Sequence, residues 1–181
     1  MTDDELYGAY LAGDSAAGDE LMLRGGDALM AYLNAFLHDP RDAEELMLDC
    51  YARILVDRPK IGEGRFRAYL YRMARNRANR LWRVRFRRRE FSLDEALPAE
   101  GGTPEESVFA GERSETLRAC LNRIAPQYRE ALCLVYEMGF SYAQAAEVLR
   151  CGEKRIDNLL SGGKKQLRRE LQKEGITRAD L

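Results

Sequence analysis

The 25 residues from Arg65 to Arg89, "RFRAYLYRMARNRANRLWRVRFRRR", hold eleven arginines and no other charged side chain. Such a run can enter a folded domain only by burying a narrow apolar face and leaving the rest outside. A helix does this. Phe66, Leu70, Met73, Ala74, Ala78 and Leu81 recur at three- and four-residue steps and form an inward stripe. Tyr69, Arg72, Asn76, Asn79, Arg83 and Phe86 follow a second stripe, with Arg75 and Trp82 beside it. Guanidinium groups hold phosphates, and aromatic rings stack on unpaired bases. The second stripe therefore predicts contact with a distorted or single-stranded nucleic acid. The plainer alternative is a solvated arginine-rich helix with its aromatics turned into the core.

Helical periodicity dominates the remaining sequence, and no stretch alternates like a strand for long. It predicts helices over 3–12, 15–37, 41–55 and 66–90, then over 112–124, 126–138, 141–149 and 153–173. The proline of "HDPRD" (His38 to Asp42) disfavours helix at Asp39 and can start the next one. "DRPKIGEGR" (Asp57 to Arg65) is a loop. "FSLDEALPAEGGTPEESV" (Phe91 to Val108) holds two prolines and a Gly-Gly pair and reads as a linker. The expected architecture is all-α. Two small helical domains, 1–91 and 112–181, are joined by an acidic linker over 92–111.

Total charge says little, because the 181 residues sum to −1 at neutral pH. Distribution says more. The charged residues from Thr2 to Glu20 and from Ser92 to Ser107 are all acidic, flanking the arginine run. Separate electrostatic tasks along one chain are implied. No apolar run is long enough to cross a membrane, and the acidic start is unlike a signal peptide, so no membrane insertion and a cytoplasmic location are expected. Cys50, Cys120, Cys133 and Cys151 lack CxxC spacing and read as reduced thiols. They and the single histidine, His38, lack metal-ligand spacing, and no nucleophile–base set or phosphate loop occurs. No enzyme activity, metal or cofactor is expected.

"SYAQAAEVLRCGEKRIDNLL" (Ser141 to Leu160) has the layout of a helix-turn-helix. Ser141 is a candidate N-cap, and Gly152 is expected to make the turn with a positive φ. On the second helix Ile156, Leu160, Gly163, Leu167 and Leu171 fall on one side. Lys154, Asn158, Ser161 and Lys165 fall opposite. With Lys164 they form a candidate major-groove face, with Arg168 and Arg169 on phosphates. Gly163 is expected on the buried stripe, and Gly162 outward, where it would permit close approach to a phosphate. In "DAEELMLDCYARIL" the acids Asp42, Glu45 and Asp49 share a face, suited to docking on a basic partner helix or merely to solubility.

Taken together, these stretches resemble an extracytoplasmic-function (ECF) sigma factor of bacterial RNA polymerase over nearly the full length. "AYLAGDSAAGDELMLRGGDALMAYL" resembles the family's opening helices. "DPRDAEELMLDCYARI" resembles the region-two helix that grips the polymerase clamp, and "FRAYLYRMARNRANRLWR" the promoter-opening helix. "CLNRIAPQYREALCLVYEMGFSYAQAAEVL" and the helix after it resemble region four. The resemblance implies core RNA polymerase and promoter DNA as partners, with an anti-sigma factor as a further candidate. It implies that Asp42, Glu45 and Asp49 meet the polymerase. It places Arg65, Tyr69, Arg72, Asn76, Asn79, Trp82 and Arg83 on the minus-ten element, with a flipped base captured by the loop Arg58 to Arg65. It places Lys154, Asn158, Ser161, Lys164 and Lys165 on the minus-thirty-five element and threads the acidic linker toward the RNA path.

Two departures stand out. A glutamine usual in region two is replaced by Met47 or Leu48. In the recognition helix, Asp157, Asn158 and Leu159, then Ser161, Gly162 and Gly163, replace a Lys-Ser-Arg and a Ser-Arg-Ala, which removes cationic contacts. Two other readings stay open: a helix-turn-helix regulator acting without polymerase, and a degenerate sigma-fold interaction protein.

Overall fold

The computed structural model describes the backbone of residues 1–91 and 112–176, and side chains within 1–84 and 115–176. The described residues form eight α-helices and one π-helical turn, with no strand among them. They divide into two compact units, Met1–Thr103 and Pro104–Leu181. The expected linker, 92–111, lies outside the described residues.

The first unit is built from α1 (Asp3–Leu11), α2 (Ser15–Leu37), α3 (Pro40–Asp57) and α4 (Phe66–Phe91). Local chemistry starts the first three helices. Thr2 and Glu5 form a capping box on α1, and Asp14 accepts from the Ala16 amide to start α2. Asp39 is extended and accepts from the amides of Arg41 and Asp42, with Pro40 at the first helical position of α3. The cap of α4 comes from far away. Asp4 Oδ1, on α1, accepts from the amides of Arg65 and Phe66 at 3.1 and 3.2 Å. Leu21, Leu29, Leu33, Tyr51, Ile54, Phe66 and Leu70 fill the core between these helices. Tyr71 and Ala68 of α4 are also buried, outside the expected inward stripe.

The second unit comprises α5 (Glu112–Arg123), α6 (Pro126–Leu132), α7 (Tyr142–Leu149) and α8 (Glu153–Lys173). Three expectations are corrected here. The helix expected over 126–138 changes register: α6 passes into a π-helical turn, Cys133–Glu137, closed by the Met138 amide donating to the Cys133 carbonyl at 2.9 Å. The extra residue lets both Leu134 and Phe140 be buried. The turn before α8 does not place its positive φ on Gly152. Arg150 ends α7 in the left-handed conformation (φ 54°), and Gly152 is extended (φ −83°) as the N-cap of α8. A left-handed non-glycine residue costs about 1–2 kcal/mol, set here against two α7 carbonyls that accept from the Arg150 amide. Ser141 caps α7 as expected, in a box with Gln144.

The third correction concerns Gly162. It does not face outward to solvent. A Cβ on Gly162 would lie 2.8 Å from Tyr128 Cε1, and one on Gly163 would lie 3.0 Å from Leu132 Cδ1 and 3.2 Å from Tyr128 Cβ. Both glycines face α6. Helix packing, rather than approach to a phosphate, explains the pair. Gln166, half-buried on the same helix, accepts from the Ala125 amide at 3.2 Å and ties α8 to the start of α6.

Candidate nucleic-acid interfaces

On α4 the expected nucleic-acid stripe is graded in exposure. Arg65, Asn76, Trp82 and Arg83 are exposed, while Tyr69, Arg72 and Asn79 are half-buried. Trp82 is 54% exposed, so the indole is not part of the core. The Arg72 guanidinium lies over the Tyr69 ring at 5.4 Å from its centroid, an aromatic and a cation already stacked. The side chain of Phe86 falls outside the described residues. Two other arginines of the run are held by acids of this unit. Arg67 approaches Asp3 at 4.0 Å, and Arg77 pairs with Asp49. These two half-buried arginines are thereby engaged within the unit.

The loop between α3 and α4 is fixed from below by α1. The Tyr7 hydroxyl donates to the Pro59 carbonyl and the Tyr10 hydroxyl to the Leu55 carbonyl, both at 2.7 Å. Arg58 takes a left-handed backbone (φ 44°), with its guanidinium 5.0 Å from the Tyr10 ring centroid. Exposed Arg65 ends the loop where Asp4 caps α4.

The acid stripe of α3 is not uniform. Glu45 is exposed and Asp42 half-buried. Asp49 is engaged within the unit, by Arg53 at 3.4 Å and by Arg77. The outward face carries apolar residues that the acid pattern did not single out: Leu48 is 46% exposed and Val56 79%. Of the two residues standing for the missing glutamine, Met47 turns against Gly26 of α2 and Leu48 faces out.

On α8, Lys154, Asn158, Ser161, Lys164 and Lys165 are all exposed, as are Arg168 and Arg169. Ile156, Leu159, Leu160, Gly163 and Leu171 are buried, so Leu159 belongs to the core. Lys164 stands apart from the other four. It lies on one flank, its ammonium 4.7 Å from the centroid of the Tyr136 ring. Arg150 and Arg155, exposed at the turn and the first turn of α8, were missed; their signal was their closeness to the helix start.

Burial pushes the Cys50 thiol up to about 12 and raises Cys120 and Cys133 as well. Among the described residues no group of His, Cys, Asp and Glu could hold a metal ion.

Known proteins share this arrangement. The family described as "Sigma-70 region 2" matches residues 21–89, and "Sigma-70, region 4" matches residues 114–167. The ECF RNA polymerase sigma factor SigE of Mycolicibacterium smegmatis is 28% identical over 167 residues, covering 89% of this chain and 65% of that protein. The chain thus spans slightly less than two thirds of SigE. The RNA polymerase sigma-H factor of Pseudomonas aeruginosa is 25% identical over 160 residues, covering 82% of this chain and 83% of that one. Among solved structures, CnrH in complex with the cytosolic domain of CnrY superposes with a TM-score of 0.69 at 21% identity, over 94% of this chain and 97% of that one. The sigma factor RpoE in complex with the anti-sigma factor NepR from Bartonella quintana gives 0.68 at 23%, over 85% and 96%. The two structures share the fold.

Proposed function

With region 2 and region 4 in order on two helical units, the chain belongs to the ECF sigma-factor family, and we propose that it binds core RNA polymerase, recognises promoter DNA and initiates transcription. The observation that carries this is the outer face of α4. Asn76, Trp82 and Arg83 are exposed there, with the Tyr69–Arg72 stack at its inner margin. Duplex reading alone needs no exposed indole; capture of unpaired bases does. A helix-turn-helix regulator working without polymerase would have no use for this face. The unit acts in the cytoplasm, with an anti-sigma factor as a further partner. Among the described residues no helix is long and apolar enough to cross a membrane.

The proposed division of labour gives 1–91 to polymerase and the minus-ten element, 92–111 to the linker, and 112–181 to the minus-thirty-five element. Asn76→Ala and Trp82→Ala should reduce promoter melting while leaving initial duplex binding intact, since each stacked base is worth about 1–3 kcal/mol. Permanganate footprinting of the variant holoenzymes measures this. Wild-type melting by folded variants would make both residues structural and remove the proposal's main support.

Docking on polymerase is assigned to the outward face of α3, with Glu45 beside Leu48 and Val56. Asp49 contributes through Arg77, which it holds against α3, so charge reversal there would disturb the unit itself. Glu45→Lys with Leu48→Arg is the cleaner test. The pair should weaken association with core enzyme by roughly tenfold or more, the scale of a lost interface anchor. Unchanged co-purification would dismiss α3 as the docking face.

A further inference from the structure

We propose that Tyr136 is a positioning residue that seats Lys164 against a DNA backbone phosphate beside the groove-reading helix. This rests on the groove-reading role of α8 proposed above. Tyr136 leaves the protein from the π-helical turn Cys133–Glu137, an element frequent at functional sites. It is 56% exposed, too open to be a core residue. The Lys164 ammonium lies 4.7 Å from its ring centroid, within cation–π range. Lys164 also holds its proton more tightly than an ordinary lysine, chiefly through a hydrogen bond to the Tyr136 side chain.

The seat has a use. A lysine is a strongly hydrated charge on a flexible stem, and fixing it costs side-chain entropy at the moment of binding. Tyr136 fixes it beforehand. On the helical wheel Lys164 sits about 100° from the outward line of Lys154, Asn158 and Lys165, on the flank shared with Asp157. A helix lying in a major groove turns its flanks toward the sugar-phosphate walls. Lys164 therefore meets backbone, not base edges. It also offsets the repulsion that Asp157 exerts on a phosphate. Where the family pattern carries an arginine further along this helix, this chain has Gly162, packed on α6, which raises the importance of the cations that remain.

Holoenzyme binding to several promoter duplexes, titrated over a salt series, tests the seat. Tyr136→Ala should weaken every promoter alike by about two- to fivefold, the equivalent of an exposed cation–π contact. Tyr136→Leu, which keeps bulk without a ring face, should do the same, and Tyr136→Phe, which keeps the ring face but loses the hydroxyl, should fall between Tyr136→Ala and wild type. Lys164→Ala should lower the salt slope by about one, and adding Tyr136→Ala to it should cost nothing more. Wild-type affinity for both Tyr136→Ala and Tyr136→Leu, or losses that multiply with Lys164→Ala, would overturn the inference. If wild-type holoenzyme does not distinguish promoter from unrelated duplex, the groove-reading premise fails first, and the inference with it.

Discussion

Phe66→Ala should destabilise the first unit by about 3–5 kcal/mol, most of what a domain of this size has to lose. The ring is 2% exposed and lies 5.1 Å from the Tyr7 ring, centroid to centroid. Phe66 is also the first residue of α4, and its amide donates to Asp4 at 3.2 Å. Three elements therefore meet at one side chain: α1, the start of α4, and the loop that Tyr7 holds through Pro59. Truncation leaves a cavity under that junction. The loop and the outer face of α4 should lose their placement together, so promoter melting should fall along with stability. Phe66→Leu should keep most of both. Hydrogen exchange across α1 to α4 in the full chain provides the measure, because a single unfolding midpoint is poorly defined with two units. A loss below about 1 kcal/mol would mean that the junction is not cooperative.

The second large effect is expected at Gly163. A valine there should lower the stability of the second unit by about 1–2 kcal/mol net, overpacking minus the helical gain from removing glycine. The first branch atom meets Leu132 Cδ1 at 3.0 Å and Tyr128 Cβ at 3.2 Å; Tyr128 Cβ is bonded to the α6 backbone and Leu132 is buried, so neither yields easily. Further atoms would force α8 off α6 and tilt its groove face. Gly162→Ala is the informative contrast. Its obstacle is the tip of the Tyr128 ring, which can swing aside, so helix propensity should roughly balance the displacement, within about 1 kcal/mol. Exchange protection of α6 and α8 should separate the two variants. Equal protection would mean that the glycine pair is not a packing notch.

Much of this was legible in the sequence because it was local. The cap at Ser141, the proline starting α3, and the apolar stripes of α4 and α8 each depend on neighbours within a few residues. What escaped was long-range. Nothing near Arg65 says that its helix is capped by Asp4, or that Asp49 is held by an arginine from another helix. Nothing around Gly162 says that Tyr128 fills the space beside it; the wheel reading turns the residue outward, and only the partner shows the face it takes. The turn misled for a different reason. Glycine is the usual left-handed residue, yet here Arg150 takes that conformation and Gly152 serves as the N-cap. Tyr136 was hidden by the π-turn, since a uniform helical register would have placed it elsewhere.

Arginine, indole and amide on one face of α4, together with a cationic α8, support the central proposal that this chain opens promoters, and only with polymerase. Transcription from a genomic promoter library by core RNA polymerase, with and without the protein, tests it most directly. A defined set of promoters should fire only when the protein is present, and Trp82→Ala should silence that set without abolishing polymerase binding. The same transcripts with and without the protein would contradict the account.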